Sequence, residues 1–286
     1  MSLRFSLALA LPLVQCAPNG APPSAAIGID TSEGVEVHGY AGDIMEPFLS
    51  RDGKTLFFNN RNDPPEKTDL HWASRVDDLH FSYGGPVSGA NSPALDGVPS
   101  MSADLAFCFV STRSYDRTLS TIYCGQWTGT GVSNVTLQTG AGPLIAGRLT
   151  FDFEVSPAGE YAILADGQFT GGAIPASADL RLARSNGGFR LDPNSDRLFA
   201  RINTSALEYA AGLSSDGLTL CFTRLDGVSA SIWIATRDAE GAAFNTPRRA
   251  TSISGFVEAC TFAPDGAIYF HRLDGNRYTL RRATDY

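Results

Sequence analysis

Apolar residues fall in short runs separated by polar turns, and one version of this pattern returns five times along the chain. Each return is an acidic residue, a small or Ser-containing turn, and then a strand that is almost wholly hydrophobic. The fullest copy is Glu46-Pro47-Phe48-Leu49-Ser50-Arg51-Asp52-Gly53-Lys54-Thr55-Leu56-Phe57-Phe58, which continues to Arg61 and to a second short strand, Asp69-Leu70-His71-Trp72-Ala73. Ser100-Met101-Ser102-Ala103-Asp104 leads into Phe107-Cys108-Phe109-Val110 and then Arg113, and Val155-Ser156-Pro157-Ala158-Gly159 into Tyr161-Ala162-Ile163-Leu164. Leu213-Ser214-Ser215-Asp216-Gly217 precedes Leu220-Cys221-Phe222 and Arg224, and Phe262-Ala263-Pro264-Asp265-Gly266 precedes Ile268-Tyr269-Phe270 and Arg272.

Asp-Gly and Ala-Gly pairs supply the positive φ of tight β-turns, so each pair predicts a hairpin. A strand that is apolar at every position must be covered on both faces, as the inner strand of a packed blade is. The turns recur about every fifty residues, the length of one four-stranded blade. The pattern therefore predicts an all-β chain, a single five-bladed β-propeller of four-stranded blades. Gly34-Val35-Glu36-Val37-His38 alternates like an outer strand but precedes the first repeat, whereas the last repeat has room for only three strands. The N-terminal strand is expected to complete the last blade beside Tyr278 and Leu280, covering its open edge.

The run from Glu46 to Trp72 resembles the WD-like propeller repeats of bacterial envelope proteins, the type found in the propeller of the Tol translocation protein. Their hallmark is Glu-Pro-x-x-Ser-Pro-Asp-Gly-Lys, an apolar strand, x-Ser-x-Arg, and Asp-Leu-Tyr. The third copy departs from it, with Asp166 in the arginine position. The resemblance spans roughly residues 27–286 and implies an architecture, not an activity, because propellers host enzymes and binding proteins alike.

Composition narrows the function classes. A formal net charge of −8 opposes nucleic-acid binding, which needs basic surface for phosphates. Arg4 precedes the apolar run 5–14, followed by Cys16 and a Pro/Ala/Gly/Ser-rich stretch, 17–26. This resembles a bacterial lipoprotein signal and tether with a lipid anchor at Cys16, although Gln15 departs from that pattern; a plain secretory signal cleaved near Ala25 or Ala26 is the alternative. Residues 1–26 are thus read as export signal and tether and 27–286 as the propeller, a monomer that is periplasmic, outer-membrane-anchored or extracellular. The other cysteines are Cys108, Cys124, Cys221 and Cys260, an even number that fits an exported chain. Cys108 and Cys124 lie on consecutive predicted strands and are within reach of a disulfide. Cys221 and Cys260 belong to neighbouring repeats, and buried free thiols are the other reading of all four.

Superposing the repeats places Glu46, Asp96, Glu208 and Glu258 at the starts of innermost strands, with Asp152 or Glu154 in the third. Such starts surround one mouth of the central channel. Converging carboxylates repel unless protonated, paired or neutralised by a cation, and the cation expected is Ca²⁺, held by Glu46, Asp96, Glu208 and Glu258. Arg61, Arg113, Arg224 and Arg272 return to the same face, where they either contact a ligand or fasten blades through carboxylates, Arg61 with Asp69 for example. Of the four histidines only His271 is expected near the mouth, and none belongs to a metal-ligand motif. Trp72, Trp127 and Trp233 are expected as packing residues of third strands. The loops 62–67 and 168–177 are expected at the rim.

This reading is of a non-catalytic binding or scaffold module that takes a protein or saccharide at an acidic, arginine-rich mouth. The alternative is a cation-dependent hydrolase or lyase acting on saccharides there. Inverting glycosidases use two carboxyl groups several ångströms apart, and five-bladed propellers are known to house them. Repeated, equivalent carboxylates lack the differing environments that split pKa values into acid and base.

Overall fold

The computed structural model describes residues 30–286 apart from residues 63 and 173. The expected signal and tether, 1–26, lie outside the described residues. Strand content dominates, and antiparallel pairing groups the strands into five sets, with parallel contacts that link the third to the fourth, Ala178 opposite Leu207, and the fifth to the first. The first is β2 (Met45–Leu49), β3 (Thr55–Asn59), β4 (Leu70–Arg75) and β5 (His80–Pro86); the second is β6 (Asp96–Met101), β7 (Ala106–Ser111), β8 (Ile122–Trp127) and β9 (Val132–Leu137). The third comprises β10 (Arg148–Val155), β11 (Tyr161–Gln168), β12 (Ser177–Ser185) and β13 (Phe189–Leu191), and the fourth β14 (Leu207–Leu213), β15 (Thr219–Asp226), β16 (Ser229–Thr236) and β17 (Arg248–Arg249). The fifth, β18 (Val257–Phe262), β19 (Ile268–Asp274) and β20 (Arg277–Ala283), takes its outer member from the front of the chain, β1 (Glu33–His38), with Val35 opposite Leu280. Two single-turn helices, α1 (Tyr115–Thr118) and α2 (Ser195–Leu198), sit in loops.

Beyond the expected pairing with β20, β1 also pairs in parallel with β5, Glu36 opposite His80. It therefore joins the last set to the first and leaves neither with a bare edge there. The inner strands β2 and β18 are buried along their whole length, as double-sided coverage requires. Trp72, Trp127 and Trp233 lie on the third strands β4, β8 and β16, and Trp127 packs edge-on to Phe57 at 4.7 Å, from the second set to the first.

The Ser-x-Asp-Gly element of the repeat is local turn chemistry. Ser50 Oγ donates to Asp52 Oδ1 at 2.7 Å and accepts from the N–H of Thr55 at 2.9 Å. Ser214 repeats both bonds, to Asp216 at 2.6 Å and from Thr219 at 2.9 Å. The serine thereby closes the hairpin that delivers the next apolar strand. The last turn residue has positive φ in every copy, at Gly53, Gly159, Gly217 and Gly266, and Leu105 takes that conformation in the second.

Both cysteine pairs form disulfides. Cys108 and Cys124 face each other across β7 and β8, with Cα atoms 4.1 Å apart, and Cys221–Cys260 ties β15 to β18 of the next set.

Candidate functional site

The mouth is built from the residues that start the inner strands, and there arginines meet carboxylates set by set. Asp96 is fully buried; Arg113 Nη2 donates to its Oδ1 at 2.6 Å, and the N–H and Oγ of Ser92 reach its Oδ2 at 2.5 and 2.8 Å. Glu208 repeats the arrangement with Arg224 Nε at 2.7 Å, Thr204 N at 3.0 Å and Thr204 Oγ1 at 2.6 Å. The residue before each hydroxyl does a second job. Asn91 accepts from the N–H of Leu70 and donates to its carbonyl, at 2.8 and 3.0 Å, and Asn203 does the same to Leu180 at 3.0 and 2.9 Å. Each asparagine thus acts as one residue of strand pairing against the third strand of the preceding set. The guanidinium groups also stack on rings, Arg113 on Tyr123 at 4.9 Å and Arg224 on Trp233 at 4.2 Å.

The other arginines are equally engaged. Arg61 pairs with Asp43 at 2.8 Å, not with Asp69, because Asp43 precedes β2 and also accepts the N–H of Tyr278 at 2.9 Å. Arg272 lies between Asp30 and Asp274, the latter at 2.7 Å. In the third set the charges exchange places: Asp166, standing in the arginine position, is gripped by Arg148 at 2.8 Å and Arg181 at 3.2 Å. The arginine–carboxylate ring at the mouth is therefore a set of staples.

The strand starts are not equivalent, as the superposed repeats had implied. Each inner strand carries a bulge, and the residues Glu46, Val98, Ala210 and Ala259 adopt left-handed φ of 48°, 53°, 51° and 55° within it. Counted from that residue, Asp96 and Glu208 lie two positions earlier, Glu258 one earlier, and Glu46 on the bulge itself. A bulge re-aims side chains. It sends Asp96 and Glu208 to their arginines, and it leaves Glu46 and Glu258 inside with Asp152, whose strand β10 carries its own register shift between Thr150 and Asp152.

Glu46 and Asp152 line a narrow axial channel of about 20 Å³, enough for water-sized occupants, together with Val98, Ala210 and Ala259. Asn62, from the rim loop 62–67, lines its second small chamber of about 10 Å³ beside Glu46, Asp152 and Tyr209. Burial raises the Glu46 carboxyl well above the usual range, and the charges of Asp152 and Glu258 add to it. Burial likewise pushes Asp152 up to about 8. Glu258 accepts hydrogen bonds from Tyr209 Oη and from His271 Nε2, the latter at 3.2 Å. His271 Nδ1 accepts the N–H of Glu46 at 3.1 Å, so the ring proton sits on Nε2 and points at Glu258. His271 is fully buried behind Glu258 and not exposed at the mouth.

Glu154 lines the same small cavity as Glu46 and Asp152 but is fully paired. Its Oε1 receives Arg51 Nη2 at 2.8 Å and Leu213 N at 3.0 Å, and its Oε2 receives Ser100 Oγ at 2.7 Å. Arg51 spans the axis, donating also to the carbonyls of Met101, Val155 and Leu213 at 3.2, 2.5 and 3.0 Å. One guanidinium from the first set therefore holds the second, third and fourth. Among the described residues no three of Glu46, Asp96, Glu208 and Glu258 bring their carboxylate oxygens within 4.8 Å of one another.

The mouth face does offer a cleft, of about 510 Å³, lined by Tyr115, Leu119, Gly147, Gln168, Phe169 and Thr170 among others. The expected rim loop 168–177 supplies one wall and α1 the other. Leu144 and Ile145, 53% and 55% exposed, lie just before Gly147 in the chain.

No family model and no curated protein matches the chain. Among solved structures it is similar to a glycoside hydrolase, with a TM-score of 0.56 and 10% identity over 90% of this chain and 92% of that one. It is also similar to Zg3597, a family 117 glycoside hydrolase of the marine bacterium Zobellia galactanivorans, with a TM-score of 0.54 and 11% identity over 88% of each chain. The fold is a β-propeller. TolB from Acinetobacter baumannii, also a structural neighbour, aligns at 18% identity and a TM-score of 0.47 over 85% of this chain and 52% of its own. At such identities the likeness is one of fold.

Proposed function

We propose that the five strand sets are the blades of a five-bladed propeller, and that this propeller is an exported, non-catalytic module that binds a protein or saccharide on its mouth face. One observation carries the reading. The carboxylates that no arginine holds, Glu46, Asp152 and Glu258, are 9%, 5% and 3% exposed beside a cavity of only water-sized volume, whereas the accessible cleft on the same molecule contains none of them. A cavity of that volume does not hold a sugar ring, and the cleft is of the size that holds small ligands. The two disulfides fit an oxidising compartment, which supports export.

The second reading, a hydrolase or lyase acting on saccharides, draws on the axial cluster. Glu46 and Asp152 have raised pKa values, and a carboxylic acid kept protonated near neutral pH is what general acid catalysis requires. Ca²⁺ belongs to this reading and would have to rest on the axial acids, because Asp96 and Glu208 are held by arginine.

Binding is tested on a glycan array and by titration of any hit. The expected result is affinity that falls at least about tenfold when Thr170→Arg or Leu119→Arg fills the cleft, as losing a well-formed contact surface should. Glu46→Gln should leave the affinity unchanged. Affinity lost in Glu46→Gln and kept in the cleft variants would move the site to the axis.

A further inference from the structure

We propose that Glu36 and His38 on β1 and His80 on β5 bind a borderline divalent transition metal, Zn²⁺ in the first instance, on the seam where β1 joins the last strand set to the first. Strand alternation sets it up. Val35 and Val37 are buried, so Glu36 and His38 share the outward face of β1. The parallel pairing puts Glu36 opposite His80. One carboxylate oxygen and one nitrogen from each imidazole lie within 4.8 Å of one another, and the two rings stack with centroids 5.4 Å apart and planes within 3°. Ligand atoms about 2.1 Å from a tetrahedral metal are about 3.4 Å apart, so small side-chain rotations close the site.

Asp77 supplies the support that metal-binding imidazoles need. Its carboxylate oxygens lie 2.8 and 3.0 Å from His80 Nδ1, and the N–H groups of Leu79 and His80 each donate to it at 2.9 Å. A carboxylate only accepts, so Nδ1 of His80 carries the proton and Nε2 keeps its lone pair. Such a carboxylate–histidine pair fixes the tautomer and raises ligand basicity. Two imidazoles and one carboxylate favour Zn²⁺, Cu²⁺ or Ni²⁺ over the oxygen-seeking Ca²⁺ and Mg²⁺. The four cysteines among the described residues are in disulfides and do not compete. Three protein ligands leave one position of a tetrahedral ion to water or to a group brought by a partner.

The test is calorimetric titration of the tag-free full chain with zinc chloride, alongside thermal melting. The expected result is one zinc per chain, and a melting temperature raised by about 5 °C or more at zinc a hundredfold above Kd. His38→Gln and His80→Gln should each abolish the shift, and Asp77→Asn should weaken binding about 10–100-fold while leaving the ligands in place. Cu²⁺ as a spectroscopic probe should show coupling to two imidazole nitrogens, reduced to one in either histidine variant. No zinc binding at millimolar concentration, or zinc binding unchanged in the His38→Gln/His80→Gln double variant, would overturn the assignment.

Discussion

Arg51→Ala should lower the melting temperature by about 10 °C. The substitution leaves Glu154 buried without its cation, a loss of about 3–5 kcal/mol, and a chain of this size shifts by about 2–4 °C per kcal/mol. It also releases the carbonyls of Met101, Val155 and Leu213, so three strand sets lose their common donor. Arg51→Lys should fail nearly as badly, because one ammonium cannot reproduce a fork that reaches four acceptors. A double variant, Arg51→Ala with Glu154→Gln, should recover part of the loss by removing the stranded charge. Melting of the single variant within about 2 °C of wild type, well under the loss expected for a broken buried pair, would show that Arg51 does not hold the three strand sets together.

The second large effect is on pH dependence, and its sign follows from protons bound. Asp152 is pushed from 3.8 to about 8 in the folded state, and Glu46 is raised well above its ordinary value. The folded chain therefore binds more protons than the unfolded one above pH 4, and stability from these groups is lost as pH rises towards 8. His71, lowered by burial from 6.5 to about 4, acts in the opposite sense: its contribution is lost as pH falls below 6.5. The window from pH 6.5 to 8 isolates the axial acids. A group that stays protonated only in the fold costs about 1.4 kcal/mol per pH unit there, so Asp152 alone should lower the melting temperature by up to about 4–8 °C across the window, and Glu46 adds to the fall in the same sense. Asp152→Asn should remove much of that slope and raise the melting temperature at pH 8. Wild type and Asp152→Asn with parallel pH profiles would contradict the buried, protonated state of Asp152.

The fold was legible where local chemistry writes it. Ser-x-Asp-Gly closes hairpins through its own side chains, so the turn positions and the apolar strands after them read directly from the residues. Consecutive strands put Cys108 within reach of Cys124, and the missing outer strand of the last repeat called for residues 34–38 beside Tyr278 and Leu280. The parallel contact of β1 with β5 did not, because nothing in residues 33–38 names a second partner. That contact alone brings His38 to His80, and no spacing in the chain signals a pair separated by a whole strand set. The bulges were hidden for a related reason. A shift of one or two positions decides whether a carboxylate meets an arginine or the axis, and Val98, Ala210 and Ala259 are ordinary residues whose positive φ is imposed by the packed ring. Arg51 stood in plain view inside the fullest repeat, but its four acceptors, on Met101, Glu154, Val155 and Leu213, belong to three other strand sets that no local spacing connects to it.

The proposed function makes the axial acids buried groups of the core that perform no catalysis. Its most direct test is release of reducing ends from a panel of plant and algal polysaccharides by wild type and by Glu46→Gln, each assayed in chelator and in millimolar Ca²⁺. The account predicts no release above buffer under any of the four conditions. Release by wild type that disappears in a folded Glu46→Gln variant would contradict it and make the axis an active site.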